Sequence, residues 1–562
     1  MKIQPLIPMQ SWWDDHSADP VEDQILTALL QSRQMEIKEL TPSLKEIPDP
    51  FLLLNLRESL ELFWEIWTSG KKVLLLGDYD VDGITSTALM MRFFKFLGEG
   101  QVDFLLPNRL IHGYGLTVKT VEEIKKREPA LVITLDNGIV AGPEVKLLQD
   151  EGIQVIITDH HMPQEGLTPD CLVINPKQEN CSFPEKNPSG VGVAFLWLLG
   201  LRSYLRDRNF WQGHEPNLLE QLDLVALGTI ADQVPLVGIN RIFAKFGLEQ
   251  MTARLHAPDA GPGFYYLRAF GDRMKLTSFD PRVLAFRLAP LLNATGRIGE
   301  ASQGLKFILS GELTAARNQL KKLEKTNNSR KNMQDKMVKW AKDLADKDPK
   351  EGGLVIYHPE FHEGLVGIIA HRLLDQFGLP TAVLTMGEGG MVKGSLRSRG
   401  ENLMQVLDLC DEHLGQWGGH ANAAGVNLHE KDLPNFMVSF NRACLQIRGE
   451  RDVAQLTVDL EVYPQMLSFR LANLLHQLEP FGKEHEQPLF LLKGQHLGEP
   501  RVMAEKHLKW ELEQDLEIVY WSGVGKLPME PSLDLAVHLT ENEFMGRWRR
   551  QLVVQAAVPA GA

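Results

Sequence analysis

Between about Leu53 and Trp197, short unbroken apolar runs alternate with helical patterns, and this alternation restricts the fold more than any other feature. The runs are "KKVLLLG", "QVDFLLP", "ALVITLD", "IQVIITD" and "CLVINP". A strand that is apolar at nearly every position, not every second one, is buried on both faces. Such strands separated by helices predict a parallel sheet covered by helices on either side. Ligands of sheets of this kind sit beyond the carboxyl ends of the strands. Chemistry is therefore expected in the residues just beyond each run.

The chain has 562 residues, too many for one core. The expected class is a multidomain α/β protein. Residues 1–50 hold scattered apolar positions, several prolines and the pair Trp12–Trp13, and read as an N-terminal appendage. Residues 51–305 contain the parallel-sheet pattern and, from 217 onward, mostly helical sequence. Residues 306–350 read as a long connecting helix without proline until Pro349. A second α/β pattern occupies 351–450, starting at "GGLVIYHPEF". Short strand patterns in 451–562 ("AQLTVDL", "PLFLL", "LEIVYW", "LDLAVHL", "QLVVQAAV") predict a small β-barrel.

The net charge of −14 argues against a surface coated for phosphate binding, although not against a local basic groove. The segment from Arg317 to Lys350, with eleven Lys and Arg against five Asp and Glu, is either such a groove or a solvated helix face. No apolar run reaches the roughly 18 residues of a membrane span, and the N-terminus does not read as a secretory signal. Cys171, Cys181, Cys410 and Cys444 form no CxxC pair, which points to a reducing cytoplasm and away from thiolate zinc sites.

The first apolar run ends in "GDYDVDG", with Asp78, Asp80 and Asp82 on alternate positions. An EF-hand loop is excluded: its closing Glu would fall at Leu89, and a strand stands where a helix should precede. Asp136 ends a second run, Asp159-His160-His161 a third, and Asp232 follows "LVALGTIA". One Asp at such a point is usually a helix cap, but four sites in one domain call for another reason. Carboxylates with imidazoles and no thiolates suit Mn²⁺ or Mg²⁺. Shared carboxylates can hold two such ions about 4 Å apart, activating water for displacement at phosphorus.

"DYDVDG", "LDNGI" and "TDHH", in this order, resemble the DHH phosphoesterase superfamily. "NPSGVGVAF", "ALGTIADQVPL", "LLNATGRIG", "HEGLVGIIAHRL", "SLRSRG" and "GGHANAAG" extend the likeness to its RecJ family of single-strand-specific 5′→3′ DNA exonucleases. The resemblance implies Asp80, Asp82, Asp136, His160 and Asp232 as ligands of Mn²⁺ or Mg²⁺. It also implies Asp78 as essential beside them, His161 at the scissile phosphate, and Asp159 orienting a neighbour. Arg109 and Tyr114 in "LPNRLIHGYG" fit a phosphate grip and a base stack, or else a structural loop. Ser395, Arg397, Gly418, Gly419 and His420 are expected in a DHH-associated domain facing the metals. Arg297 is a candidate phosphate contact, and Asn293 is either another or a helix cap.

The family implies release of mononucleotides from single-stranded DNA in repair and recombination. It also implies an OB-fold third domain, a helicase and a single-strand-binding protein as partners, a cytoplasmic location and no membrane. Two departures stand out. "PFGKEHEQP" has Glu484 and His485 where the family has Gly and Asn, and Thr295 replaces Ala. The rival readings are a DHH phosphodiesterase for short oligoribonucleotides or cyclic dinucleotides, and a catalytically inactive replication scaffold.

Overall fold

In the computed structural model, residues 2–14, 17–98, 100–213, 215–347, 351–448, 455–513, 515–544 and 546–561 are described. The chain forms two compact units. One comprises Pro48–Val234 with Gly238–Glu450, the other Met1–Ile47, Pro235–Val237 and Arg451–Ala562.

Each of the first five apolar runs forms a strand of one sheet. In spatial order these are Val102–Leu105, Val73–Gly77, Leu131–Leu135, Gln154–Thr158 and Leu172–Ile174, every adjacent pair parallel. Val73–Gly77 and Leu131–Leu135 are buried at every residue, as their unbroken apolar sequence requires. The strand order reverses at Val73–Gly77, so the switch point that favours ligands lies where Asp78 and Asp136 emerge. Helices Val81–Phe94, Gly190–Asp207 and Leu222–Asp232 pack together beside these strand ends.

The connecting helix runs from Leu313 to Lys347, 35 residues or about 52 Å. The predicted span of 306–350 therefore overstates it: residues 306–308 close the preceding helix Ser302–Ile308, and 348–350 lie outside the described residues. Leu320, Leu323, Met337, Val338, Ala341 and Ala345 form its buried stripe, and most of its Lys and Arg lie on the exposed face. It packs on a second sheet of order Gln416–His420, Ala423–His429, Met391–Arg397, Thr381–Met386, Leu354–Tyr357. Only the last pair of that sheet is parallel.

In the other unit, all five predicted C-terminal strands form, joined by Arg501–Met503 and His507–Glu513. The eighth strand of that sheet is Lys2–Ile7, paired parallel to Gln455–Glu461. The first 47 residues are thus no appendage but part of this unit. Ile25 and Leu29 of helix Val21–Ser32 are fully buried in its core with Leu471 and Leu535. Arg33 clamps Asp459 through Nε at 2.8 Å and Nη2 at 3.1 Å. Pro5 suits an outer strand, where a missing N–H leaves no ladder bond unmade.

Candidate metal centre

Four short segments supply the acidic cluster, each placed by its own local chemistry. Asp78 follows the buried strand Val73–Gly77 directly. Asp80 caps the helix Val81–Phe94, accepting from the Asp82 N–H at 2.9 Å and the Gly83 N–H at 3.2 Å. Only Gly fits at 83, because a Cβ there would stand 2.4 Å from the Asp78 backbone nitrogen. Asp82 lies one step into the helix, where its carboxylate accepts from the N–H groups of Gly190 (2.6 Å) and Val191 (2.8 Å). The start of a second helix is therefore aimed at a carboxylate, the sign its dipole favours. Asp136 turns the chain out of Leu131–Leu135 at φ 66°, and Asp232 ends the helix Leu222–Asp232.

The ligand atoms form three overlapping groups, each within 4.8 Å: Asp78, Asp80 and Asp136; Asp82, His160 and Asp232; Asp136, His160 and His161. His160 Nε2 lies 3.2 Å from Asp136 Oδ1 and 3.6 Å from Asp232 Oδ2. Burial, reinforced by neighbouring carboxylates, raises Asp78, Asp82 and Asp136 well above the ordinary carboxylate range. Asp80 is also raised by burial, opposed by its cap bonds. Burial, and then His161, push His160 down to about 3, so its ring is neutral and keeps a lone pair to donate. Asp78 Oδ1, Asp136 Oδ1 and His160 Nε2 are buried without a hydrogen-bond partner. Buried polar atoms are rarely left so. Unpaired, mutually repelling oxygens around a neutral imidazole fit hard divalent cations such as Mn²⁺ or Mg²⁺.

Asp159 belongs to none of these groups. It accepts from the Ile139 N–H (2.9 Å), the backbone N–H groups of His160 (2.7 Å) and His161 (3.1 Å), and the His161 ring (2.7 Å). Burial pushes Asp159 up, but His161 outweighs it and holds the group below its usual range. In return, although burial lowers His161, the Asp159 bond raises it to about 9. The far nitrogen of that ring stands 3.3 Å from the Tyr114 hydroxyl.

Basic groups meet the acidic cluster. Arg109 lies over the Tyr79 ring at 5.5 Å, and Tyr79 meets Tyr114 edge-on at 6.1 Å. Arg297 is lowered to about 10 by burial and by Arg109, and Arg397 is lowered by the same two causes. Arg397 thus comes within electrostatic reach of Arg109 although it belongs to the second sheet. Gly367 makes room for it, since a Cβ there would stand 3.0 Å from Arg397 Nη2 and 3.5 Å from Ser395 Oγ. Gly418, Gly419 and His420 lie exposed on the outer strand Gln416–His420. Asn293 is not the cap of its own helix, Ala289–Ile298: its Oδ1 accepts from the Val81 N–H at 3.2 Å, capping the helix that carries Asp82.

The motifs "LDNGI" and "NPSGVGVAF" also hold Asn137 and Gly190, to which sequence reasoning gave no role. Asn137 donates to the Leu76 and Leu135 carbonyls and ties the two central strand ends. At Gly190 a Cβ would stand 2.4 Å from Asp136 Oδ1. For Asn137 the available signal was its place directly after the predicted ligand Asp136, whereas nothing local to Gly190 marks its approach to that carboxylate. The two departures are accommodated locally. Thr295 donates to its own helix at the Leu292 carbonyl, 2.6 Å away. Glu484 adopts φ 58°, a conformation glycine reaches without strain, while His485 is buried and its Nε2 lies 2.6 Å from the Leu478 carbonyl.

A parallel sheet with carboxylates and histidines at its switch point, joined by a long helix to a mixed sheet bearing Arg397, places the chain in the DHH class. Residues 72–229 match the model of the DHH family, N-terminal domain, and residues 350–446 that of the DHHA1 domain. Residues 458–556 match the RecJ OB domain. The single-stranded-DNA-specific exonuclease RecJ of Escherichia coli strain K12 is 33% identical, over 97% of this chain and 98% of its own length. That of Thermus thermophilus is 32% identical, over 97% of this chain and 76% of its own. The crystal structure of the Thermus RecJ in complex with Mn²⁺ superposes with a TM-score of 0.83 at 30% identity, covering 100% of this chain and 80% of that one. The chain belongs to the RecJ family.

Proposed function

We propose that the chain is a metal-dependent exonuclease that degrades single-stranded DNA from its 5′ end, releasing mononucleotides. The observation that carries the reading is one buried carboxylate and imidazole cluster within electrostatic reach of Arg109 and Arg297, with Arg397 in turn within reach of Arg109. Metal ions would offset the crowded carboxylates, and arginines would receive the phosphates. Relatives over nearly the whole length are named single-stranded-DNA-specific exonucleases, and a related structure holds Mn²⁺.

Asp80, Asp82, Asp136, His160 and Asp232 would hold two ions, Mn²⁺ or Mg²⁺, with Asp78 beside them. Bound there, such ions supply positive charge at phosphorus and an activated water. The chain's own groups do the rest. Arg109, Arg297 and Arg397 grip phosphate oxygens, and Ser395 and the backbone of Gly418, Gly419 and His420 extend the cradle. His161, fixed by Asp159, contacts the scissile phosphate, and Tyr114 offers its face to a base. Asn293 keeps only its amide N–H groups for such a contact, because its oxygen is engaged.

The match to a RecJ OB domain favours long strands over dinucleotides. The full set of ligand types favours an active enzyme over an inert scaffold. Repair and recombination in the cytoplasm, beside a helicase and a single-strand-binding protein, complete the reading. Among the described residues no helix is long and apolar enough to cross a membrane.

The test uses single strands labelled at either end, with Mn²⁺ or with EDTA. Mononucleotide label released first from the 5′ end, only with metal, is the expected result. Release from the 3′ end, or activity unaffected by EDTA, would overturn the proposal.

A further inference from the structure

Away from the strand ends lies a buried ion pair with no part in the mechanism above. Arg92, 7% exposed, donates from Nη1 to both oxygens of Asp223, each 3.0 Å away, and Asp223 is fully buried. Arg92 Nη2 donates to the Gly263 carbonyl, and the Tyr266 hydroxyl donates to Asp223 Oδ2 at 2.7 Å. The guanidinium lies over Phe264 at 5.1 Å and near Tyr266 at 5.7 Å.

The two charges sit on the helices that carry Asp82 and Asp232. Arg92 lies in the last turn of Val81–Phe94, and Asp223 in the first turn of Leu222–Asp232. These helices run antiparallel: Arg92 meets Asp223 at one end, while Gly228 faces Thr85 and Asp82 toward the other, a Cβ at 228 standing 2.4 Å from Thr85 Oγ1 and 2.8 Å from Asp82 Oδ1. Gly228 lies so close to Thr85 and Asp82 that no Cβ fits between them, so that end of the pair tolerates little displacement, and the ion pair holds the opposite end. A slip of one residue moves a ligand by about 1.5 Å, while metal–oxygen distances tolerate only about 0.2 Å. Buried ion pairs contribute little net stability, and setting register is their best attested use.

We propose that the Arg92–Asp223 pair, held by Tyr266, is a register lock that sets Asp82 opposite Asp232. Arg92, Asp223 and Tyr266 are positioning residues, at the far end of the helix pair from the ions they serve. The lock rests on the metal-site reading of the proposed function.

The test measures Mn²⁺ binding by calorimetry on the full chain without DNA, with single-strand binding and thermal unfolding recorded in EDTA. The variants are the apolar pair Arg92→Met/Asp223→Leu, and separately Arg92→Lys and Tyr266→Phe, with Asp136→Ala as the control for the metal site. The apolar pair keeps a packed interface but leaves the Tyr266 hydroxyl and the Gly263 carbonyl without partners, so cooperative unfolding at a somewhat lower temperature is expected. Its Mn²⁺ affinity should fall by about tenfold or more, with DNA affinity in EDTA unchanged and turnover partly restored at high Mn²⁺. A role confined to folding would lower stability and leave the Mn²⁺ affinity of the folded protein intact, and that result would overturn the lock. If the apolar pair does not fold, Arg92→Lys and Tyr266→Phe decide: weaker Mn²⁺ binding in both supports the lock, and wild-type affinity in both removes it. Asp136→Ala separates the two levels. If it binds Mn²⁺ like the wild type, the metal-site reading fails and the lock with it. If it loses Mn²⁺ while the Arg92 and Asp223 variants keep it, only the lock fails.

Discussion

At the residue scale, the cluster trades stability for function. Asp136 is raised well above the usual carboxylate range by burial and by Asp82, so its charge opposes folding whenever no cation is present. Asp136→Asn should therefore raise the unfolding free energy in EDTA by about 1 kcal/mol, a common gain when a functional charge is removed. The same change should abolish hydrolysis and the extra stability that Mn²⁺ confers on the wild type. Calorimetric unfolding with and without Mn²⁺ checks both signs. Arg397 stands on the other side of the balance. Truncating it to Ala would remove the charge-assisted phosphate contact proposed for it, so binding of a 5′-phosphorylated strand should weaken by about 1–3 kcal/mol. Fluorescence anisotropy in EDTA reads that change, and an unaltered affinity would place Arg397 outside the phosphate path.

At the element scale, glycines set how closely helices approach the carboxylates. Gly228 lets Leu222–Asp232 lie against Val81–Phe94, and a Cβ there would meet Thr85, Val191 and Asp82 at once. Gly228→Ala should therefore destabilise the chain by about 1–3 kcal/mol through overpacking. Its loss of activity should exceed its loss of folded protein, because Asp82 is displaced. Denaturant titration beside specific activity per folded molecule separates the two. Helix Val21–Ser32 offers the corresponding test in the other unit. Leu29 is fully buried among residues of the C-terminal segment, so Leu29→Ala should cost about 2–4 kcal/mol there. An unchanged unfolding profile would deny the N-terminal helix its place in that core.

At the scale of the whole molecule, strand preference is expected to follow from stacking and not from charge. Tyr114 is half exposed beside the acidic cluster, and each base stacked on an aromatic face contributes about 1–3 kcal/mol. A duplex has already satisfied its own stacking and gains nothing from Tyr114. Electrostatics alone would favour the duplex, whose charge is denser, but a chain of net charge −14 offers no general attraction to it. Single strands and 5′ tails should be degraded rapidly, with stalling near the duplex junction, and blunt duplex should survive. A time course on matched single-stranded, tailed and blunt substrates of one sequence checks this. Equal rates on blunt and single-stranded DNA would remove stacking as the source of specificity.

Sequence alone determined whatever rests on local pattern. Unbroken apolar runs such as "VLLLG" and "LVITL" have one stable fate, a strand buried on both faces, so the parallel sheet and the position of Asp78, Asp136 and Asp159 at its ends were legible. The ligand types were legible too, since carboxylate and imidazole without thiolate select hard cations wherever they converge. Tertiary structure decided what depends on partners distant in sequence. Lys2–Ile7 carries no strong strand signal and becomes one only because Gln455–Glu461 receives it, some 450 residues later. Asn293 caps a helix other than its own, one that starts more than 200 residues earlier. Arg92 and Asp223 look like ordinary surface charges in sequence, because nothing in a local pattern reveals that two helices will bury them against each other. Register between packed helices is a property of the pair, and neither segment specifies it alone.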